Sequence, residues 1–248
     1  MIDKARFLNG NMLKIIAAVT MLFDHIGRFL LPNLSFMTLI GRLAFPIFAF
    51  MIAEGARYTK NRLKYILQLG ILGGVWQIYL LIALNDTRLN ILITFTLSLG
   101  IIYLLDLFKI SLFDTECSIP FKALFIILFV CAPVVLLSLI KYTSWFTLEY
   151  GFYGCMVAVF ASAPSLNRTN APEWLKKFDV LPLRILCMCV PLLIYCFSAK
   201  GNQYFSLISP ILLLLYSGKR GTAKMKYFFY IFYPAHLIII HILMFIIY

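Results

Sequence analysis

Met21-Leu-Phe-Asp-His-Ile-Gly-Arg28 places an aspartate, an imidazole and a guanidinium within five positions of a largely apolar run from Met12 to Pro32. An ionisable group in the middle of a bilayer costs at least ~2.5 kcal/mol unless it is paired or wetted. Three so close together mark a site that faces the protein interior, on what is expected to be the first membrane-spanning helix. The rest of the chain has the same character. Of its 248 residues, 62% are hydrophobic and only 13% charged, too few charges for a soluble surface. The apolar runs are continuous and about 20 residues long, the length of one crossing, unlike the short alternating segments of a β-barrel. The expected fold is all-α, a polytopic transmembrane helical bundle forming a single integral membrane domain over residues 1–248.

Apolar runs between polar breaks predict about nine spans, at 12–31, 35–56, 63–84, 90–108, 119–140, 147–163, 180–198, 204–217 and 226–247. The segment 204–217 is short for a crossing. The polar start, Met1 to Asn11, is too short for a presequence, and no small-residue cleavage site follows, so the first apolar run is read as a retained helix. With nine spans, seventeen of the 22 Lys and Arg fall on the side of the N-terminus and three on the other. Arg28 and Arg42 lie within spans. The positive-inside rule then makes the N-terminus cytoplasmic and the C-terminus external. The net charge of +12 sits in short loops between spans, a pattern of topology signals and anionic-lipid contact, so no nucleic acid is expected as a partner. Five of six cysteines lie in apolar runs without a Cys-x-x-Cys; they read as packing residues, and no metal is expected.

Helical rise brings several polar groups to one depth. Asp24 and His25 lie ~18–20 Å from the inner end of their span, Arg42 ~22 Å and His236 ~16 Å. Asp24 and Arg28 are spaced i, i+4 and can pair on one face. Gly41-Arg42 ahead of Pro46 reads as a kinked helix start that offers Arg42 as a second partner for Asp24 or as an anion binder. Glu54, near the inner surface, is expected to pair with Arg57 or Lys60. Asn90, Thr94 and Thr96 open a span, either capping it or lining a cavity. Phe232-Tyr-Pro-Ala-His236 joins a proline kink to a histidine, and the kink frees backbone carbonyls for polar use. Tyr233 is a candidate substrate contact beside it, while His241, five residues on, reads as incidental. Ser217-Gly-Lys-Arg-Gly221 is a doubly basic turn that suits a phosphate-bearing ligand, although it lacks Walker spacing.

These stretches resemble the TraX family of membrane proteins. The resemblance rests on Leu13 to Gly27 with its Asp-His pair, Ile40-Gly-Arg-Leu-Ala-Phe-Pro46 and Asn90-Ile-Leu-Ile-Thr-Phe95. It continues in Leu215-Tyr-Ser-Gly-Lys-Arg-Gly221 and Tyr230-Ile-Phe-Tyr-Pro-Ala-His-Leu237. One departure is Gly73-Gly-Val-Trp-Gln-Ile78, where family members carry Ser-Glu/Gln-Ile-Pro. The resemblance implies an acetyltransferase of the bacterial cytoplasmic (inner) membrane, akin to multi-span acyltransferases that use acyl-CoA and to enzymes that N-acetylate conjugative pilin.

Carried onto this chain, the resemblance makes His25, Asp24 and His236 the catalytic candidates. Arg28, Arg42, Asn90 and Tyr233 are the substrate-binding ones, and Lys219 and Arg220 would hold acetyl-CoA as co-substrate. His25 would act as general base or acetyl relay, with Asp24 fixing its tautomer and an arginine stabilising the oxyanion. The acceptor would be a pilin-like amine or another surface polymer. Two rival readings are a proton-coupled transporter using Asp24, His25 and His236 as a relay, and a non-catalytic component of a conjugation or secretion assembly.

Overall fold

The computed structural model describes residues 6–143, 146–199, 201–222 and 225–247. Lys4, Lys200 and Lys224 of the charge count lie outside them. Eleven α-helices and one 3-10 helix make up the described chain, joined by turns and two isolated β-bridges. In order these are α1 (Gly10–Phe29), α2 (Ser35–Gly41), α3 (Ala44–Tyr58), α4 (Arg62–Leu84), α5 (Ile91–Phe113) and α6 (Ile119–Tyr142). They continue with α7 (Gly151–Ser162), α8 (Glu173–Lys176), α9 (Leu181–Ala199), the 3-10 helix Gly201–Ile208, α10 (Ser209–Leu214) and α11 (Lys226–Ile247).

Asparagines punctuate the helices. The side chains of Asn9, Asn61 and Asn90 accept the first free amides of α1, α4 and α5, such as Lys64 N at 2.8 Å, because a short side-chain oxygen substitutes for the missing intrahelical partner. Asn85 closes α4 at φ 51°, a left-handed cap that asparagine tolerates.

Among the described residues, six segments are long and apolar enough to cross a membrane: Ser35–Tyr58, Arg62–Leu84, Ile91–Phe113, Ile119–Tyr142, Leu181–Ala199 and Phe228–Ile247. The protein is therefore a multi-pass membrane protein, with six such segments where nine were expected. The differences have local causes. Pro46 has no N–H to offer the Arg42 carbonyl, so the second run breaks at Arg42–Leu43 and resumes as α3, yet Ser35–Tyr58 keeps the length of one crossing and is not among the three lost. Tyr150 and Gly151 both have positive φ, which delays α7 and leaves it twelve residues long. Residues 201–214 divide between a 3-10 helix and the six-residue α10. At twenty residues α1 has the length to cross but carries Lys14, Asp24 and Arg28. The external C-terminus was argued from nine spans and loses that footing.

Packing divides the chain into two compact units. The first is Met1–Met51 with Leu192–Tyr248, and the second is Ile52–Pro191. In the first unit α1 packs on α2 and α11, around Leu13, Ala17, Ile47, Phe50 and Leu213, all fully buried. Gly27 and Gly41 let α1 and α2 approach. A Cβ on Gly41 would lie 2.2 Å from Asp24 Cβ, and one on Gly27 would lie 2.9 Å from Met37 Cβ. In the second unit α5 is central, against α4, α6 and α7, with Leu99, Cys155, Val157 and Ala158 buried. On α6, by contrast, Ile119, Phe121, Ile127, Val130 and Val134 stand exposed, as a helix facing lipid requires.

Candidate functional site

In the first unit α1, α2 and α11 bring together most of the residues singled out from sequence. Asp24 is buried and pairs with Arg28 Nη2 at 3.0 Å along its own helix, and Arg42 Nη1 faces its other oxygen at 3.6 Å. Arg42 reaches it because Gly41, lacking a side chain, rests directly on Asp24. Sequence reasoning gave Asp24 the task of fixing the His25 tautomer, but the geometry assigns that task elsewhere. His25 Nδ1 lies 2.9 Å from His236 Nε2, and His236 Nδ1 lies 2.6 Å from the Phe232 carbonyl oxygen.

Those two contacts determine where the protons sit. A carbonyl oxygen only accepts, so His236 Nδ1 carries a hydrogen and donates it to Phe232. The neutral His236 ring then presents a lone pair at Nε2, and His25 must donate to it from Nδ1. His25 is left with its lone pair on Nε2, the atom a general base needs. Phe232 stacks on His236 with centroids 4.8 Å apart and planes 14° from parallel, fixing the ring's plane, and Tyr233 meets it nearly edge-on at 6.0 Å. His25 is half-buried whereas His236 is buried, so His25 is the more accessible of the two. His241 meets Phe29 edge-on at 5.5 Å, and Phe29 stacks on His25, so His241 belongs to the aromatic surround of the pair.

The Lys219–Arg220 turn is pinned to the start of α1. Gly10 N donates to Lys219 O at 2.8 Å and Asn11 N to Arg220 O at 3.0 Å. Gly221, at φ 93°, has no room for a Cβ beside Asn9. The α1 terminus is therefore satisfied by protein carbonyls, and the two exposed side chains are what the turn offers an anion.

Asn90 lies in the second unit, where both of its candidate roles can be judged. Its amide nitrogen donates to Gly73 O and Gln77 Oε1, and its oxygen accepts from Leu92 and Ile93 N. The structure makes it a cap, held by Gln77 from the stretch where the sequence departs from family members. A second ionic cluster went unrecognised in the sequence. Glu54 forms its ion pair with Arg184, 130 positions away, with the expected Arg57 within electrostatic reach, and Arg184 also donates to Ala161 O. Arg57 pairs with Asp179 and Arg62 with Asp106, while buried Lys109 donates to the carbonyls of Ser162 and Ser165. No local spacing pointed to these partners. Phe232, by contrast, was within reach of inspection, since it precedes His236 by one helical turn.

Comparison with known proteins adds family membership to this geometry. The family model described as TraX protein matches residues 9–244. An uncharacterised protein of Rickettsia prowazekii is 30% identical over 161 residues, covering 64% of this chain and 57% of that relative's length. A protein of Dichelobacter nodosus named as a probable fimbrial assembly protein, FimC, is 24% identical over 238 residues, 91% of each chain. No solved structure matches.

Proposed function

This chain belongs to the TraX family, and from that premise we propose that it is an inner-membrane acetyltransferase that moves an acetyl group from cytoplasmic acetyl-CoA to an amine acceptor. The observation that carries this reading is the chain of hydrogen bonds from the Phe232 carbonyl through His236 to His25. It leaves one imidazole lone pair, on His25 Nε2, outside that chain of bonds, on a residue that is only partly buried.

An α-amino group has pKa ~8, so at neutral pH it needs only modest help to reach its nucleophilic form. The amine nitrogen attacks the thioester carbonyl carbon as His25 Nε2 accepts its proton. The C–S bond then breaks, and His25 returns the proton to the leaving thiolate. Reactants and products balance as amine plus thioester giving amide plus thiol. While His25 is charged, its Nδ1–H donates to His236 Nε2, which stabilises the imidazolium without taking its proton. Arg28 lies three residues beyond His25 on the same helix and so shares its face. With Arg42 it would offer guanidinium N–H groups to the oxyanion, and Asp24 holds both arginines in place. Asp24 thereby acts through the arginines.

Purified protein with radiolabelled acetyl-CoA and a pilin-like amine peptide tests the proposal. Transfer by the wild type and its loss in His25→Ala are the expected results; transfer that survives His25→Ala would overturn the assigned base. The fimbrial assembly relative favours a second reading, a non-catalytic membrane component of pilus assembly. That reading predicts no turnover with any acceptor, together with pilus defects in variants that leave His25 intact.

A further inference from the structure

Asp24 is the one carboxylate side chain among the described residues of the first unit, and Arg28 and Arg42 engage it. Lys14, Lys219 and Arg220 have no carboxylate partner among the described residues. All three gather at the start of α1. The backbone bonds from Gly10 and Asn11 hold the turn there, and Arg220 lies within electrostatic reach of Lys14. Like charges held together with no acid among the described residues suit a counter-charge from outside, and phosphate is the group that cations on a fixed backbone turn suit best.

Lys14 also lies on the His25 face of α1. Eleven residues separate them, three turns and ~20° of rotation. Both touch α11: Lys14 Nζ stands 5.7 Å from the Phe229 ring centroid, and His25 bonds His236. Along the two helices these contacts are ~10–17 Å apart at 1.5 Å per residue. The arm of a pantetheine thioester, about thirteen bonds from phosphate oxygen to acyl carbon, spans ~15 Å at the ~1.2 Å per bond of an extended chain. An acyl phosphate has no such arm.

We propose that Lys14 anchors the donor's phosphate at the inner end of the α1–α11 seam, with Lys219 and Arg220 holding its further phosphates, so that the distance to His25 selects donors with a pantetheine-length arm. This rests on the transferase reading for its purpose but is tested by binding alone. The probe is radiolabelled CoA with the full chain in phosphatidylcholine nanodiscs. Lys14→Met, which keeps the length of the side chain without its charge, is expected to weaken CoA binding about tenfold, the effect of losing one charge-assisted contact. Lys14→Arg should bind within about twofold of wild type, and pantetheine, which has no phosphate, should compete equally poorly against all three proteins. Undiminished CoA binding in Lys14→Met, or equal loss in Lys14→Arg, would overturn the assignment. So would loss of CoA binding on exchange to phosphatidylglycerol, which would give the cations to lipid headgroups. If CoA binds through Lys14 and no acetyl moves, the transferase reading fails while this one stands. Acetyl transfer with Lys14-independent binding gives the reverse.

Discussion

Each unit of this protein buries an ionic centre, and the two are built on different plans. In the second unit, Glu54 meets Arg184, Asp179 meets Arg57 and Asp106 meets Arg62, while Lys109 and Arg168 spend their protons on backbone carbonyls. Each of the three carboxylates has an arginine of its own, the two further cations are taken up by carbonyls, and the cluster ties α3, α4, α5 and α9 to the 162–169 loop. In the first unit one carboxylate serves two arginines. The neighbouring histidine pair is held by a single backbone carbonyl and ends in an open lone pair. Carboxylates paired one to one with arginines act as a fastener, because any change of protonation leaves a buried charge unpaired. A centre with surplus cations and a directed lone pair can accept a proton and bind an anion. Burial of charge is common to both; the arrangement of partners separates them.

The comparison breaks most sharply at His25. His25→Ala is expected to lower acetyl transfer by about 10²–10⁴-fold, the usual contribution of a general base, with little change in thermal unfolding in detergent. Glu54→Gln should do the opposite, costing ~3–5 kcal/mol of stability by stranding Arg184, as read by the unfolding midpoint. Equal stability losses in the two variants would erase the distinction between site and fastener.

At His236 the two plans can be told apart by chemistry. His236→Gln retains an acceptor for His25 Nδ1 and should keep more transfer activity than His236→Leu, with the difference in kcat and not in KM. Equal rates would remove His236 from its positioning role. At Gly41 the expected cost of Gly41→Ala is ~1–3 kcal/mol, since the new Cβ would displace Asp24. Gly74→Ala, in α4 of the second unit, meets nothing within 4 Å and should gain up to ~1 kcal/mol from helix propensity. Differential scanning fluorimetry of the pair measures both signs in one experiment.

Much was legible in the chain itself. Continuous apolar runs determine helices in a bilayer because lipid offers backbone groups no partner. The i, i+4 spacing of Asp24 and Arg28 is a property of the helix and needs no other element. Capping was one of the two roles that the sequence offered Asn90, by the chemistry of one side chain. Arg42 as a second partner of Asp24 also followed, since helical rise sets depth. Depth, however, carries no information about azimuth. That His25 turns toward His236, 211 positions away, and that Asp24 turns toward arginines instead, depends on how α1, α2 and α11 pack through Gly27, Gly41 and the Phe232 carbonyl. The pairing of Glu54 with Arg184 is likewise a meeting of distant helices. Sequence determined the helices and the levels of their charged groups, because those are set by bonds between near neighbours. The tertiary structure alone decided which groups share protons, because a hydrogen bond requires a distance and a direction that only packed helices supply.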